Sequence, residues 1–196
     1  MTGVQYAHDH IKDDNKKHIF IDEVTFTTIP RSHTHVKLRG DYDITSHRKV
    51  QKGSIKCIAT IGYDEKFTMY TYKTSVNSAR YKWYLENVIG SQDGHTLIAD
   101  NLSVHWTNDV QKSITDVLHM KIQRIPPYSP DLNSIEHIFS QIKDNLYRYH
   151  FTTLKELETS IRCEFEKITT DECKKLALHQ RNVCQDIIAN GGPMMC

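Results

Sequence analysis

The sequence has 196 residues, 38% of them hydrophobic and 25% charged, and its formal net charge at pH 7 is +1. These values are typical of one globular domain, and the charge balance neither requires nor excludes a local basic surface for nucleic acid. The sequence contains no run of about 18 apolar residues and no apolar segment near its N-terminus, so we expect no transmembrane helix and no signal peptide. Five widely spaced cysteines, an odd number, indicate reduced thiols in an intracellular compartment.

The spacing of apolar residues predicts an alternation of strands and helices along the chain. Residues 1–17 are polar and predict a solvated tail or linker, and residues 27–52 predict an irregular insertion with one short strand near Val36–Leu38. Strands are predicted at residues 18–26, 54–63, 66–73, 95–100 and 121–125. Helices are predicted at residues 78–90, 107–119, 134–148, 153–167 and 171–189. Ser134 is expected to cap the third of these helices.

The order of these elements predicts the fold class. An initial hairpin is followed by βαβ units, which is the pattern of an α/β fold with a mixed five-stranded sheet flanked by helices. This order resembles that of a ribonuclease-H-like domain, with extra C-terminal helices. In open sheets of this kind, ligand sites lie at the carboxyl ends of the strands.

Three carboxylates stand out against this framework. Asp22 interrupts an apolar strand, Asp100 ends another, and Glu136 begins a helix behind the proline-rich stretch "RIPPYSP". If the strands that carry Asp22 and Asp100 are parallel neighbours, their side chains meet at one edge of the sheet, and the rigid turn delivers Glu136 to the same place. Taken singly, each residue also fits an ordinary role at a strand end, in a turn or at a helix N-terminus.

Three carboxylates in one place repel one another, and divalent cations relieve that repulsion. Hard oxygen ligands favour Mg²⁺ or Mn²⁺, which keep water and substrate phosphate oxygens in their remaining coordination positions. Two such ions, about 3.5–4 Å apart, can activate an attacking oxygen and stabilise a leaving oxygen at phosphorus. The sequence therefore predicts a two-ion Mg²⁺ or Mn²⁺ site, with Asp22 and Asp100 at the first ion and Glu136 at the second.

Three segments resemble the mariner-type DDE transposases of the Tc/mariner superfamily: "IFIDEVTF" at 19–26, "LIADNLSVH" at 97–105 and "IPPYSPDLNSIEHIFSQIK" at 125–143. The last is the most specific, and the 35 residues between the second and third acids are close to the family's spacing. Residues 53–89 and 178–192 also resemble family members. Two positions depart from the family, since proline is often found at the position of Ser134 and tryptophan is common at that of Phe139.

The resemblance implies a DDE catalytic domain at residues 18–192, preceded by the tail or linker at 1–17 and followed by a C-terminal tail at 193–196. It implies a two-metal-ion enzyme that hydrolyses DNA phosphodiester bonds and transfers strands in cut-and-paste transposition. The catalytic metal ligands implied by the family motif are Asp22, Asp100 and Glu136.

Three further residues are weaker candidates. Asn101 and His105 match polar residues of the family's second motif and are expected to support the site or touch DNA. Lys143 follows Glu136 by seven residues, shares its helix face and is expected to contact a phosphate.

The implied partners are transposon ends and target DNA, usually cut at TA in this family, together with a second copy of the chain in a DNA synapse. The implied location is the nucleus, without a membrane or a small-molecule cofactor. Nothing in the sequence matches the N-terminal helix-turn-helix pair of family members, so we expect a catalytic domain without sequence-specific recognition of transposon ends.

Two alternatives stay open. One is a ribonuclease-H-like nuclease without strand transfer, and the other is a domesticated or inactive transposase-derived module that binds DNA or protein.

Overall fold

The computed structural model describes residues 2–12, 15–28, 52–63, 68–127 and 129–191. Most of the predicted insertion, including the expected strand near Val36–Leu38, lies outside these described residues, as does the predicted C-terminal tail at 193–196. In the part of the chain that the structure describes, no helix is both long enough and apolar enough to span a bilayer.

Five strands form one mixed sheet in the order β3-β2-β1-β4-β5. The strands are β1 (His18–Thr27), β2 (Ser54–Gly62), β3 (Thr68–Tyr72), β4 (Thr96–Ala99) and β5 (Lys121–Arg124). The second strand is antiparallel to both β1 and β3, whereas β4 is parallel to both β1 and β5. The predicted hairpin, the later parallel strands and the mixed five-stranded sheet are confirmed.

Helices pack against both faces of this sheet. They are α1 (Gly3–Lys12), α2 (Ser78–Tyr84), α3 (Asn108–Lys112), α4 (Ile135–Tyr147), α5 (Leu154–Glu166) and α6 (Thr170–Ala189). One core lies between the sheet and the helices α4, α5 and α6, and the other lies between the sheet and the helices α2 and α3. Capping boxes fix the starts of α5 and α6, where Thr153 pairs with Glu156 and Thr169 with Glu172.

Two predicted helices end in wider, π-helical turns. The structure continues α2 through Leu85–Ile89 and α3 through Ser113–Val117 in this form. The predictions of helices at 78–90 and 107–119 are confirmed in position. Apolar spacing did not indicate the π form, because one added residue in a turn changes the periodicity too little to be recognised over so short a segment.

The prediction of a solvated tail at residues 1–17 is wrong for the segment that forms α1. Tyr6, Ala7 and His10 of this helix are buried, and the helix packs along α6. Its apolar side is short and interrupted by histidines, so the sequence pattern is weak. The burial comes from a partner helix more than 150 residues away, which local periodicity does not reveal.

The prediction that Ser134 caps α4 is also wrong. Ser134 has helical backbone angles, φ −57° and ψ −24°, and its side chain makes no capping hydrogen bond. Its buried hydroxyl oxygen lies 3.2 Å from the carbonyl oxygen of Leu176 and 3.0 Å from Oε1 of Gln180. The side chain therefore connects α4 to α6.

Candidate active site

Parallel pairing of β1 and β4 brings two of the predicted acids to one edge of the sheet. The register pairs His18 with Thr96 and Phe20 with Ile98. Continued by two residues, it sets Asp22 opposite Asp100. Asp22 lies in the middle of β1, just past the residues that pair with β4, and Asp100 directly follows β4. Both acids therefore lie at the carboxyl end of the parallel β1–β4 pairing, where ligand sites are expected.

The proline-rich turn leads from β5 to the third acid. The backbone N–H of Ile125 donates to the Ala99 carbonyl over 2.9 Å, which extends the β4–β5 pairing up to the first proline of the turn. A short 3₁₀ turn at Pro130–Leu132 follows, and the backbone N–H of Glu136 donates to the Asn133 carbonyl over 3.0 Å. These bonds fix the start of α4, and with it the position of Glu136.

The three acids line one cavity of about 400 Å³. The other described residues that line it are Asn101, Ile125, Pro126, Pro127, Ser129 and Asn133. A second cavity of about 360 Å³ lies beside the edge strand β3 and is lined by aromatic, threonine, lysine and arginine residues. Since no carboxylate lines the second cavity, the first is the candidate site.

Asp22 is the most deeply buried of the three acids, with 8% of its surface exposed. Its Oδ1 accepts a 2.7 Å hydrogen bond from the backbone N–H of Glu23, and its Oδ2 accepts one of 2.9 Å from the Asn133 side chain. Burial raises the pKa of Asp22 to about 8 despite the Glu23 N–H, and the charges of Asp100 and Glu136 add to the rise. A carboxylate in this setting needs a compensating positive charge in order to ionise at neutral pH.

His105 lies between two carboxylates. Its Nε2 is 2.9 Å from Oε1 of Glu23, its Nδ1 is 2.9 Å from Oδ1 of Asp100, and its fully buried ring stacks on Tyr81 with centroids 4.3 Å apart. Burial by itself would lower the pKa of His105, but the contacts with Asp100 and Glu23 raise it to about 9. The imidazole is therefore charged at neutral pH, and it attracts Asp100 as an ion pair, since its Nδ1 is not aligned for a hydrogen bond.

The pKa of Asp100 is affected in the opposite direction. Partial burial by itself would raise it, but the contact with His105 and the backbone N–H of Leu102 lower it below its ordinary value. Asp100 is thus ionised where Asp22 is not. The two neighbouring acids have different protonation states because Asp22 is more deeply buried and Asp100 has a cationic partner in His105.

The structure also locates the weaker candidates. Asn101 lines the cavity and donates a 2.8 Å hydrogen bond to the carbonyl of Ile125, so it holds the exit of β5. His105 was expected either to support the site or to touch DNA. It is too deeply buried to contact DNA, so the supporting role remains. Lys143 is exposed on α4 and does not line the cavity. A phosphate contact of Lys143 stays a prediction.

Two site residues, Glu23 and Asn133, were not singled out from the sequence. A polar residue in an apolar strand was the available signal for Glu23, but it follows Asp22 directly, and alternation puts neighbouring side chains on opposite faces of a strand. It acts through His105, which contacts both Glu23 and Asp100. For Asn133 the signal was its position three residues before Glu136, at the start of a helix.

The donors at this cavity fit a hard divalent cation. Asp22 is buried among like charges, and Oδ1 of Asn133 is buried without a hydrogen-bond partner among the described residues. As the side chains stand, no three His, Cys, Asp or Glu groups of the described segments converge closely enough to hold a metal. Both oxygens of Asp22 and Oδ1 of Asp100 contact protein groups, so cation binding requires the acidic side chains to turn toward one another.

Comparisons with known proteins agree with this geometry. A family model described as DDE superfamily endonuclease matches residues 17–158, well over half of the chain. No curated protein sequence matches the chain. The family match confirms the DDE part of the predicted resemblance.

Several solved structures share the fold. The Mos1 strand transfer complex is 14% identical with a TM-score of 0.78, and the alignment covers 99% of this chain and 62% of that one. The Mos1 mariner paired-end complex with Mn is 14% identical with a TM-score of 0.77, covering 99% and 62%. The catalytic domain of Mos1 mariner transposase is 13% identical with a TM-score of 0.75, covering 99% and 94%.

At such low identity these similarities establish the fold, and they confirm the ribonuclease-H-like prediction. The chain spans less than two thirds of the length of the Mos1 chains in the two complexes, and nearly the whole of the Mos1 catalytic domain.

Proposed function

The chain belongs to the DDE superfamily of endonucleases, and from this premise we propose that it is the catalytic domain of a mariner-type transposase. Its reaction is metal-dependent hydrolysis of DNA phosphodiester bonds, followed by transfer of the freed 3′ end to a target strand. One observation carries this proposal. Asp22, Asp100 and Glu136 come from three separate elements and line a single cavity at the carboxyl end of the sheet.

The three carboxylates are the groups that would hold Mg²⁺ or Mn²⁺. Two such ions, when bound, would neutralise charge and act as Lewis acids at the scissile phosphate. The protein's own residues supply positioning. Asn133 holds Oδ2 of Asp22, and His105 holds Oδ1 of Asp100. The prolines that line the cavity restrict the backbone before Glu136.

The proposed substrate is DNA, both as transposon ends and as target, with TA as the target of this family. Two copies of the chain would act together on two ends. Action on DNA implies an intracellular location, for which the family resemblance favours the nucleus.

A nicking assay on supercoiled plasmid DNA tests the proposal. We expect nicking that requires Mg²⁺ or Mn²⁺, and we expect Asp100→Asn to abolish it. Asp93→Asn is the matched control. Asp93 is an exposed acid in the loop before β4, the strand that Asp100 follows. A labelled oligonucleotide with a free 3′-OH should become covalently joined to the plasmid.

The products separate the alternatives. Nicking without joined product indicates a hydrolytic nuclease of the same fold. DNA binding without nicking indicates a binding module, and equal nicking by the wild type and Asp100→Asn overturns the proposed site.

A further inference from the structure

An arginine and a tryptophan form a stacked pair beside the candidate site. The guanidinium carbon Cζ of Arg124 lies 3.9 Å from the centroid of the Trp106 ring, well within cation–π range. The indole Nε1–H donates a 2.9 Å hydrogen bond to the carbonyl oxygen of Asp100. The tryptophan is thereby fixed to the backbone of a proposed metal ligand, and it fixes the arginine in turn.

The pair lies next to residues that line the cavity. Arg124 is the last residue of β5 and is paired with Ala99, which directly precedes Asp100. The next residue along the chain, Ile125, lines the cavity. Arg124 is exposed, and it forms no ion pair with a carboxylate among the described residues. A cation that is stacked on a tryptophan, and has no carboxylate partner among the described residues, thus lies beside an acidic cavity.

We propose that Arg124, held on Trp106, binds a backbone phosphate of the DNA strand that enters the cavity. The inference rests on the proposed function, since it takes DNA as the substrate. The ionised carboxylate of Asp100 repels a polyanion at the point where it must bind, and a cation beside the cavity offsets that repulsion. Stacking uses the flat face of the guanidinium and leaves the N–H donors at its edge available for phosphate oxygens.

Stacking also lowers the entropic cost of the contact. A free arginine side chain loses rotamer freedom when it binds a phosphate, whereas a stacked one is already ordered. The opposite assignment is that Arg124 merely covers the indole. That structural role predicts a loss of stability on substitution and no change in how DNA binding depends on salt.

The test measures binding of a short fluorescein-labelled DNA duplex by fluorescence anisotropy across a salt series, without and with Mg²⁺. The variants are Arg124→Ala, Arg124→Lys and the control Lys121→Ala. Lys121 is an exposed cation at the opposite end of the same strand, so its removal matches the change in net charge. Melting temperatures of all variants show whether each protein is folded.

We expect Arg124→Ala to weaken DNA affinity about tenfold, as for the loss of one charge-assisted hydrogen bond. The slope of log affinity against log salt should become shallower by about 0.9, the value for one phosphate contact. Arg124→Lys should restore the slope and only part of the affinity, because lysine keeps the charge and loses the planar fork. Lys121→Ala should match the wild type.

Three results would overturn the inference. If Arg124→Ala and Lys121→Ala change affinity and slope equally, the charge acts without a specific site. If Arg124→Ala lowers the melting temperature and leaves the salt slope unchanged, the residue is structural. In both cases a wild type that binds and nicks DNA leaves the proposed function standing. If the wild type itself does not bind DNA, the proposed function fails and this inference falls with it.

Discussion

Asn133 and Asp22 are joined by a buried hydrogen bond of 2.9 Å, although 111 residues separate them in the chain. The bond ties the proline-rich turn to β1 and orients an oxygen of the deepest acid. It does not remove the cost of burying that acid, since burial still raises the pKa of Asp22 to about 8. The site therefore holds a carboxylate that would be more stable in water, as is common where a protein binds a cation.

Asp22→Asn is expected to stabilise the protein when no divalent cation is present. An ordinary aspartate ionises near pH 3.8, whereas folded Asp22 keeps its proton up to about pH 8. Between these values the unfolded chain binds fewer protons than the folded one, so this group lowers the free energy of unfolding as pH rises. Removing the group should raise the free energy of unfolding at pH 7 by about 2–4 kcal/mol.

Chemical denaturation in EDTA, repeated from pH 5 to pH 8, checks this prediction, and the advantage of Asp22→Asn should grow with pH. Addition of Mn²⁺ should stabilise the wild type and not the variant. Asp93→Asn, which changes an exposed acid, should show neither effect. A variant less stable than the wild type across this range would contradict the raised pKa.

His105→Gln is expected to weaken divalent cation binding. The imidazole pairs with both Asp100 and Glu23, and loss of such a supporting contact typically costs about 10–100-fold in metal affinity or activity. Calorimetric titration with Mn²⁺ measures the affinity, and plasmid nicking measures the activity. Tyr81→Phe is the control, because it keeps the ring stacked on His105 and removes a hydroxyl that has no hydrogen-bond partner among the described residues. Equal Mn²⁺ affinities for wild type and His105→Gln would show that Asp100 needs no such support.

The parts of this site that the sequence predicted depend on local patterns. Apolar runs located β1 and β4, and the condition that the two are parallel neighbours, which the structure meets, was enough to bring Asp22 and Asp100 together. The parts that it did not predict depend on distant partners. His105 meets Glu23 across 82 residues of chain, and strand alternation alone would point Glu23 away from Asp22. No local rule identifies such a contact, because it depends on how distant parts of the chain pack together.

The difference between local patterns and distant partners also explains why the sequence predicted the wrong role for Ser134. A serine just before a helical apolar pattern is the usual signal of a cap. Here α6 packs against the start of α4 and presents a carbonyl and a glutamine to the hydroxyl. A buried tertiary hydrogen bond replaced the local one.

Ser134→Ala should therefore destabilise the fold through the α4–α6 contact. The substitution removes the hydroxyl and leaves the buried Gln180 side chain without this partner, for which we expect a loss of about 1–2 kcal/mol. Ser140→Ala is the matched control, since Ser140 is exposed on the same helix. Urea denaturation measures the free energy of unfolding of both variants. If Ser134→Ala loses no more stability than Ser140→Ala, the α4–α6 contact contributes nothing.

His10→Phe is expected to protect the protein against acid. His10 is fully buried between α1 and the sheet, its ring centroid lies 4.2 Å from that of His18, and neither ring nitrogen has a hydrogen-bond partner among the described residues. Burial lowers the pKa of His10 from 6.5 to about 3, with further lowering by His18 and Arg181. Between these two pH values the unfolded chain binds a proton that the folded protein does not. Stability is therefore lost as pH falls from about 6.5 toward 3, at up to about 1.4 kcal/mol per pH unit.

Phenylalanine keeps an aromatic ring at this position and does not titrate, so the stability advantage of His10→Phe should widen steadily below pH 6.5. Thermal unfolding followed by circular dichroism between pH 7 and pH 4 measures the difference. His8→Phe makes the same change at an exposed position of the same helix and should follow the pH profile of the wild type. Parallel profiles for His10→Phe and the wild type would mean that His10 takes up its proton in the folded state. The packing of α1 against α6 would then tolerate a charged imidazole, and acid denaturation would have to begin elsewhere in the fold.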